Sequence, residues 1–151
     1  MSGRLCVLLV SVIAVCGCGD SLPDRVPVSG KVTYNGAAVE GAAVVFVPVE
    51  GGPAATATTD AVGQFKLSTF EAHDGAVPGS YTISIAKTKQ TGGKVMTADE
   101  EHEAVLAGKE IQPPTFEDLV PTRYKSSSTS GLAEDVTEDG ENIFTFELTD
   151  G

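Results

Sequence analysis

The sequence has no tryptophan, two histidines and three cysteines, and its 10 lysines and arginines face 21 aspartates and glutamates. Each scarcity removes a class of function. Without Trp, and with aromatic residues at 6% of the chain, rings on which sugars or bases stack are few. At a net charge of −11 the chain has too few cations to release counterions from phosphates, so no nucleic-acid partner is expected. There is also no Lys/Arg cluster to grip anionic lipid headgroups. Acidity favours solubility and cationic partners and is silent on fold. The length, 151 residues, suits one domain rather than two.

What is present is most specific at the N-terminus. Met1-Ser2-Gly3-Arg4 is a short cationic opening, and Leu5 to Val15 is an uninterrupted run of apolar and small residues. That run is too short for a stable membrane span and suits the apolar region of an export signal. Gly17, Gly19 and Asp20 stop it early. Val15-Cys16-Gly17-Cys18 then resembles the sites cut by lipoprotein signal peptidase: an aliphatic residue, two small ones and a thiol. The residue before the lipid-bearing cysteine must be small, which Gly17 satisfies. Val15, before Cys16, fits worse, so Cys18 is the expected lipidation site, with Val15, Cys16 and Gly17 as the peptidase recognition residues. An ordinary secretory signal with incidental cysteines is the alternative.

The expected layout is a signal peptide at 1–17, a lipidated N-terminus and tether at 18–25, and one domain at 26–150. Cys6 and Cys16 leave with the signal and Cys18 is taken by lipid. The mature domain then has no disulfide, no thiolate metal site and no cysteine nucleophile. Buried acyl chains, at about 0.8 kcal/mol per methylene, make such attachment effectively permanent.

Along the domain, period-2 alternation dominates. Val26, Val28, Val32 and Tyr34 alternate with Ser29, Lys31 and Thr33, and Asn35-Gly36 marks a hairpin. Ala43 to Val49 is continuously apolar, which predicts a strand covered on both faces. Thr56 to Thr59 reads as a short strand and Asp60 to Gly63 as a turn. Phe65 and Leu67 alternate with polar neighbours, as do Tyr81, Ile83 and Ile85 after the Pro78-Gly79 turn. The pattern breaks at Lys87, and residues 88–96 are polar and Gly-rich. Thr97 and Glu100 have capping-box spacing, which predicts a short helix over Ala98 to Ala107 ending at Gly108. Residues 88–112 thus form an acidic insert. Pro113-Pro114 and Pro121 mark an extended return. Leu132 to Val136 and a last strand with Phe144, Phe146 and Leu148 flank a turn at Asp139-Gly140. Short strands with frequent turns predict an all-β antiparallel sandwich.

Val28-Ser29-Gly30-Lys31-Val32-Thr33-Tyr34-Asn35-Gly36, followed by Val39-Glu40-Gly41-Ala42 and Val44 to Val47, resembles the opening of carboxypeptidase regulatory-like domains. Thr59-Asp60 through Gly63-Gln64-Phe65 and Pro78-Gly79-Ser80-Tyr81-Thr82-Ile83 resemble the strands that follow. Val120-Pro121 with Tyr124, Ser130-Gly131-Leu132 and the closing Asn142 to Leu148 are similar to a lipoprotein subgroup of bacteria. The resemblance spans roughly residues 26–150, judged by turn and strand order. It implies a seven-stranded, transthyretin-like (Ig-like) antiparallel β-sandwich and an accessory rather than catalytic role. Val62 and the acidic insert depart from the pattern.

No residue set rises to a catalytic site. His73 and His102 are the histidines, and no nucleophile-elbow motif accompanies them. Asp99, His102 and Glu103 would share a helix face, but no calcium-loop motif occurs, and a solvated acidic helix start is the better reading. Lys31 and Asn142 lie in elements that in some transthyretin-like adhesins carry an isopeptide crosslink, yet the alternation should point Lys31 outward. No metal and no cofactor is expected. The expectation is a non-catalytic lipoprotein of the cell envelope, extracytoplasmic (periplasmic or at the cell surface) and attached to a membrane through its lipid. A β-sandwich of this kind would serve as a binding or structural module for protein–protein interaction in the envelope, with a carbohydrate-binding module that takes a polysaccharide as the alternative function and a hydrolase as a remote one.

Overall fold

Alternation becomes structure first at the domain's start. The computed structural model describes residues 22–150, and in it β1 (Val28–Tyr34) buries Val28 and Val32 while Lys31 is exposed. Asn35 and Gly36 take φ 49° and 82°, the two left-handed positions of a tight hairpin turn. That turn returns the chain as β2 (Ala37–Ala38), which pairs with the end of β1. The chain then crosses to a second sheet for β3 (Ala43–Pro48) and β4 (Ala55–Thr58).

Asp60 closes the next turn. Its Oδ1 accepts from the backbone N–H groups of Val62 (3.0 Å) and Gln64 (2.8 Å). This delivers β5 (Gln64–Lys66) back to β1. β6 (Gly79–Ala86) joins β3 in the second sheet. β7 (Thr88–Gly92), α1 (Ala98–Leu106) and β8 (Thr115–Asp118) form an arm. A 3-10 turn at Thr122–Lys125 leads to β9 (Leu132–Val136) and β10 (Asn142–Leu148).

The fold is all-β apart from α1 and the 3-10 turn. One sheet has β10 beside β1, with β2 and β5 sharing β1's other edge; the second runs β4-β3-β6-β9; β7 and β8 make a separate ribbon. The two larger sheets face each other across one core. Val28, Val32, Phe65, Phe146 and Leu148 from the first meet Val44, Phe46, Tyr81, Ile83 and Ile85 from the second. Phe46 is the hub: its ring centroid lies 6.3 Å from Phe65, 5.8 Å from Tyr81 and 6.0 Å from both Phe144 and Phe146. Gly30 makes room for this cluster, because a Cβ there would stand 2.2 Å from the Phe144 carbonyl oxygen and 2.5 Å from the Phe65 ring.

Three expectations need correction. β3 is not covered on both faces: Val44 and Phe46 are fully buried, whereas Val47 is 37% exposed and Val49, just past the strand's end, is 63% exposed. The apolar run reflects strand propensity on an outer face, where β-branched side chains suit the pleat, rather than a second packing layer. Strand pairing is not antiparallel throughout, since β10 runs parallel to β1 from Val28↔Asn142 to Tyr34↔Leu148. The turn at 139–140 carries the chain from one sheet to the other, so it imposes no hairpin reversal within a sheet. Residues 88–92 and 115–118, which lack apolar alternation, pair as the ribbon of the arm. The helix of the insert has the expected capping box: Glu100 N–H donates to Thr97 Oγ1 and Thr97 N–H to Glu100 Oε2.

Candidate functional site

The outward residues of β5, β1 and β10 form two cross-strand rows. Lys66 stands opposite Ser29, which stands opposite Ile143; Gln64 stands opposite Lys31, which stands opposite Thr145. Strand alternation forces this arrangement, because Phe65, Gly30 and Val32 must face the core. Thr58 and Asp60, at the crossing from β4 to β5, and His73 complete the lining. The resulting groove has a volume of about 510 Å³. A second cavity of about 550 Å³ runs along β3 and β4 and shares Thr58, Lys66 and His73 with the first. The two sheets are stitched between them by reciprocal backbone hydrogen bonds, Thr56 N–H to Ser68 O at 2.8 Å and Ser68 N–H to Thr56 O at 2.9 Å.

His73 is held there by a structured loop. It sits at φ 61°, a left-handed conformation that a non-glycine residue adopts only when its surroundings impose it. Its N–H donates to Ser68 Oγ at 2.8 Å. Asp74, next along, accepts from the backbone N–H groups of Thr69 (2.7 Å), Phe70 (3.1 Å) and Glu71 (3.0 Å). It also pairs with Arg25 at 3.0 Å, and the Arg25 guanidinium lies 5.2 Å from the Phe70 ring centroid. Desolvation pushes the Asp74 carboxyl up, but the three backbone donors and the Arg25 charge outweigh it and hold it below the usual carboxylate range.

The electrostatics of the groove differ from those of the chain. Arg25, Lys94 and Lys125 are paired with carboxylates. Among the described residues Lys31 and Lys66 form no ion pair, and Asp60, already accepting two backbone N–H groups, is the one carboxylate lining either cavity.

The residues singled out by sequence are scattered. Val15, Cys16, Gly17 and Cys18 lie outside the described residues. Lys31 points outward at the groove, while Asn142 is buried and spent on the β9–β10 turn: Thr137 N–H donates to its Oδ1 and its Nδ2 donates to Thr137 O, each at 2.9 Å. These two side chains occupy opposite faces of the sheet. His102 is exposed on α1, remote in sequence from the groove that His73 helps to line. Within the acidic helix start, Glu100 is committed to its cap and to Lys94 at 2.7 Å. Among the described residues no three His, Cys, Asp or Glu side chains converge to hold a metal ion. The groove itself was missed by sequence reasoning. Its signal was present in the outward positions of Lys31, Gln64 and Lys66, but alternation gives the face and not the neighbour.

No family model matches the chain, and no curated protein matches it. Among solved structures, a 9R-lipoxygenase from Cyanothece PCC8801 aligns with 83% of this chain at 11% identity and a TM-score of 0.37, the chain spanning 16% of that enzyme's length. A likeness at that level bears on neither fold nor chemistry.

Proposed function

We propose that this protein is a lipid-anchored, non-catalytic binding module of the bacterial cell envelope, built on a carboxypeptidase regulatory-like, transthyretin-like sandwich of seven strands. The observation that carries the binding role is the groove, where strands from both sheets and the 69–75 loop converge on unpaired lysines. Seven strands of three or more residues lie in the two facing sheets, which supports the sandwich reading. The non-catalytic reading rests on the sequence, which carries no nucleophile-elbow motif beside its two histidines. Anchoring rests on Val15 to Cys18 after the apolar run. Among residues 22–150 no helix is long and apolar enough to cross a membrane.

One experiment in cells tests both halves. The intact chain, expressed with an alkyne fatty acid and a photo-crosslinking residue in place of Ile143, should take up the label and join a partner on illumination. Cys18→Ala should abolish labelling and Cys16→Ala should retain it. Label that survives Cys18→Ala would overturn the anchoring site. A groove that joins nothing in the envelope would overturn the binding role.

A further inference from the structure

We infer that the groove binds the carboxylate groups of an acidic polysaccharide, an inference that rests on the reading of the groove as the binding site. Charge is the first reason. In a chain of net charge −11, the lining places Lys31 and Lys66 together with a single carboxylate, Asp60, that is already engaged. Glu147 lies on the same outward face of β10, diagonal to Lys31, but is not part of the lining; charges more than about 8 Å away are screened at physiological salt. The local lysines therefore decide the sign of what docks. They occupy diagonal positions on neighbouring strands, with backbones roughly 7–8 Å apart, and so offer two anchor points along a ligand.

The uncharged lining is the second reason. Ser29, Thr58, Gln64 and Thr145 present hydroxyls and an amide, which pair with sugar hydroxyls. Phe65 is 3% exposed and turned into the core, which leaves the His73 imidazole as the one ring of the lining open to a ligand, so stacking contributes little and charge must supply the affinity. A protein partner fits less well. Interface centres are rich in Trp, Tyr and Arg and poor in Lys, and this groove has the opposite composition. Shape is the third reason, since two open cavities meeting at Lys66 and His73 form a track for a chain rather than a closed pocket for one small molecule.

The test is calorimetric titration of the intact chain, kept in neutral detergent, with three probes: an oligogalacturonate, its methyl ester, and an oligoglutamate peptide of matched charge. The oligogalacturonate should bind, more weakly as salt rises, and the ester at least roughly tenfold more weakly. Exposed ion pairs contribute up to a factor of about five each, so Lys31→Gln/Lys66→Gln should weaken binding by roughly two- to twenty-fivefold. The control Lys94→Gln/Lys109→Gln, with the same charge change in the arm, should leave it unaltered. Equal affinity for the ester, or an equal loss in the control, overturns the inference. Tighter binding of oligoglutamate replaces the ligand class while the groove stands as a binding site. If no probe binds, the inference fails, and the crosslinks from position 143 then decide separately whether the groove binds anything.

Discussion

The sandwich and the arm are built on opposite principles. Each principal strand of the two facing sheets buries residues in one core, with Val32, Val44, Phe46, Ile83, Ile85 and Leu148 at 0% exposure. In the arm, β7 buries nothing, β8 buries nothing, and α1 buries Ala104 alone. Its order comes instead from exposed polar bonds: the Thr97–Glu100 capping box, the Lys94–Glu100 pair and the ribbon's backbone ladder. Burial in a shared core binds its residues into one cooperative unit, whereas exposed polar bonds can be lost one at a time. The sandwich should therefore unfold as a whole and the arm should open on its own.

The largest test of that contrast is Phe46→Ala. Removing the hub ring should cost about 3–5 kcal/mol of global stability, read as a fall in the midpoint of chemical denaturation by every probe at once. A loss below about 1 kcal/mol would mean the four surrounding rings do not depend on it. A smaller and local effect is expected from Thr97→Ala. Loss of the cap should weaken the helix by about 1 kcal/mol, speeding amide exchange across residues 98–106 while leaving the denaturation midpoint of the sandwich unchanged. A shift of that midpoint would show that arm and sandwich share one transition.

Acidification should give the smallest effect. The hydrogen bond from Lys94, with that from Thr97 N–H behind it, holds the Glu100 carboxyl below its ordinary value. A carboxyl depressed in the folded state adds stability that is present above its unfolded pKa and is lost as pH falls through the folded one. Amide protection of α1 should thus be steady at neutral pH and decline below the usual carboxylate range, and Lys94→Gln should move that decline to higher pH. An arm whose protection ignores pH over this range would locate its order elsewhere.

The same contrast governs what could be read from sequence. Strands with a buried face announced themselves by alternation, and turns by residues that tolerate positive φ, as at Asn35-Gly36. The capping box identified α1 from two side chains. β7 and β8 escaped because Thr88, Lys89, Gln90 and Thr91 carry no apolar period; their pairing is a backbone property. The outer valines of β3 misled for the converse reason, since strand propensity and burial favour the same residues. The parallel partnership of β1 and β10, and with it the rows of the groove, depends on where a sheet-to-sheet crossing lands. No local signal encodes that. His73 was visible only as a histidine, because its neighbours come from β5 and from the β4–β5 crossing.

The clasp of Arg25 on the 69–75 loop also sets how the molecule carries load. From Cys18 to Arg25 is seven residues of chain, a leash of at most roughly 25 Å when fully extended. With Cys18 held in a bilayer, as proposed, tension on the domain reaches its first fixed points at the Arg25–Asp74 pair and at the Val26–Ala76 bridge, whose two backbone hydrogen bonds are 2.9 and 3.0 Å long. These flank the loop that carries His73. A polymer lodged in the groove and a lipid pulling the other way would strain this one short segment. The aromatic core behind it would lie outside the line of force.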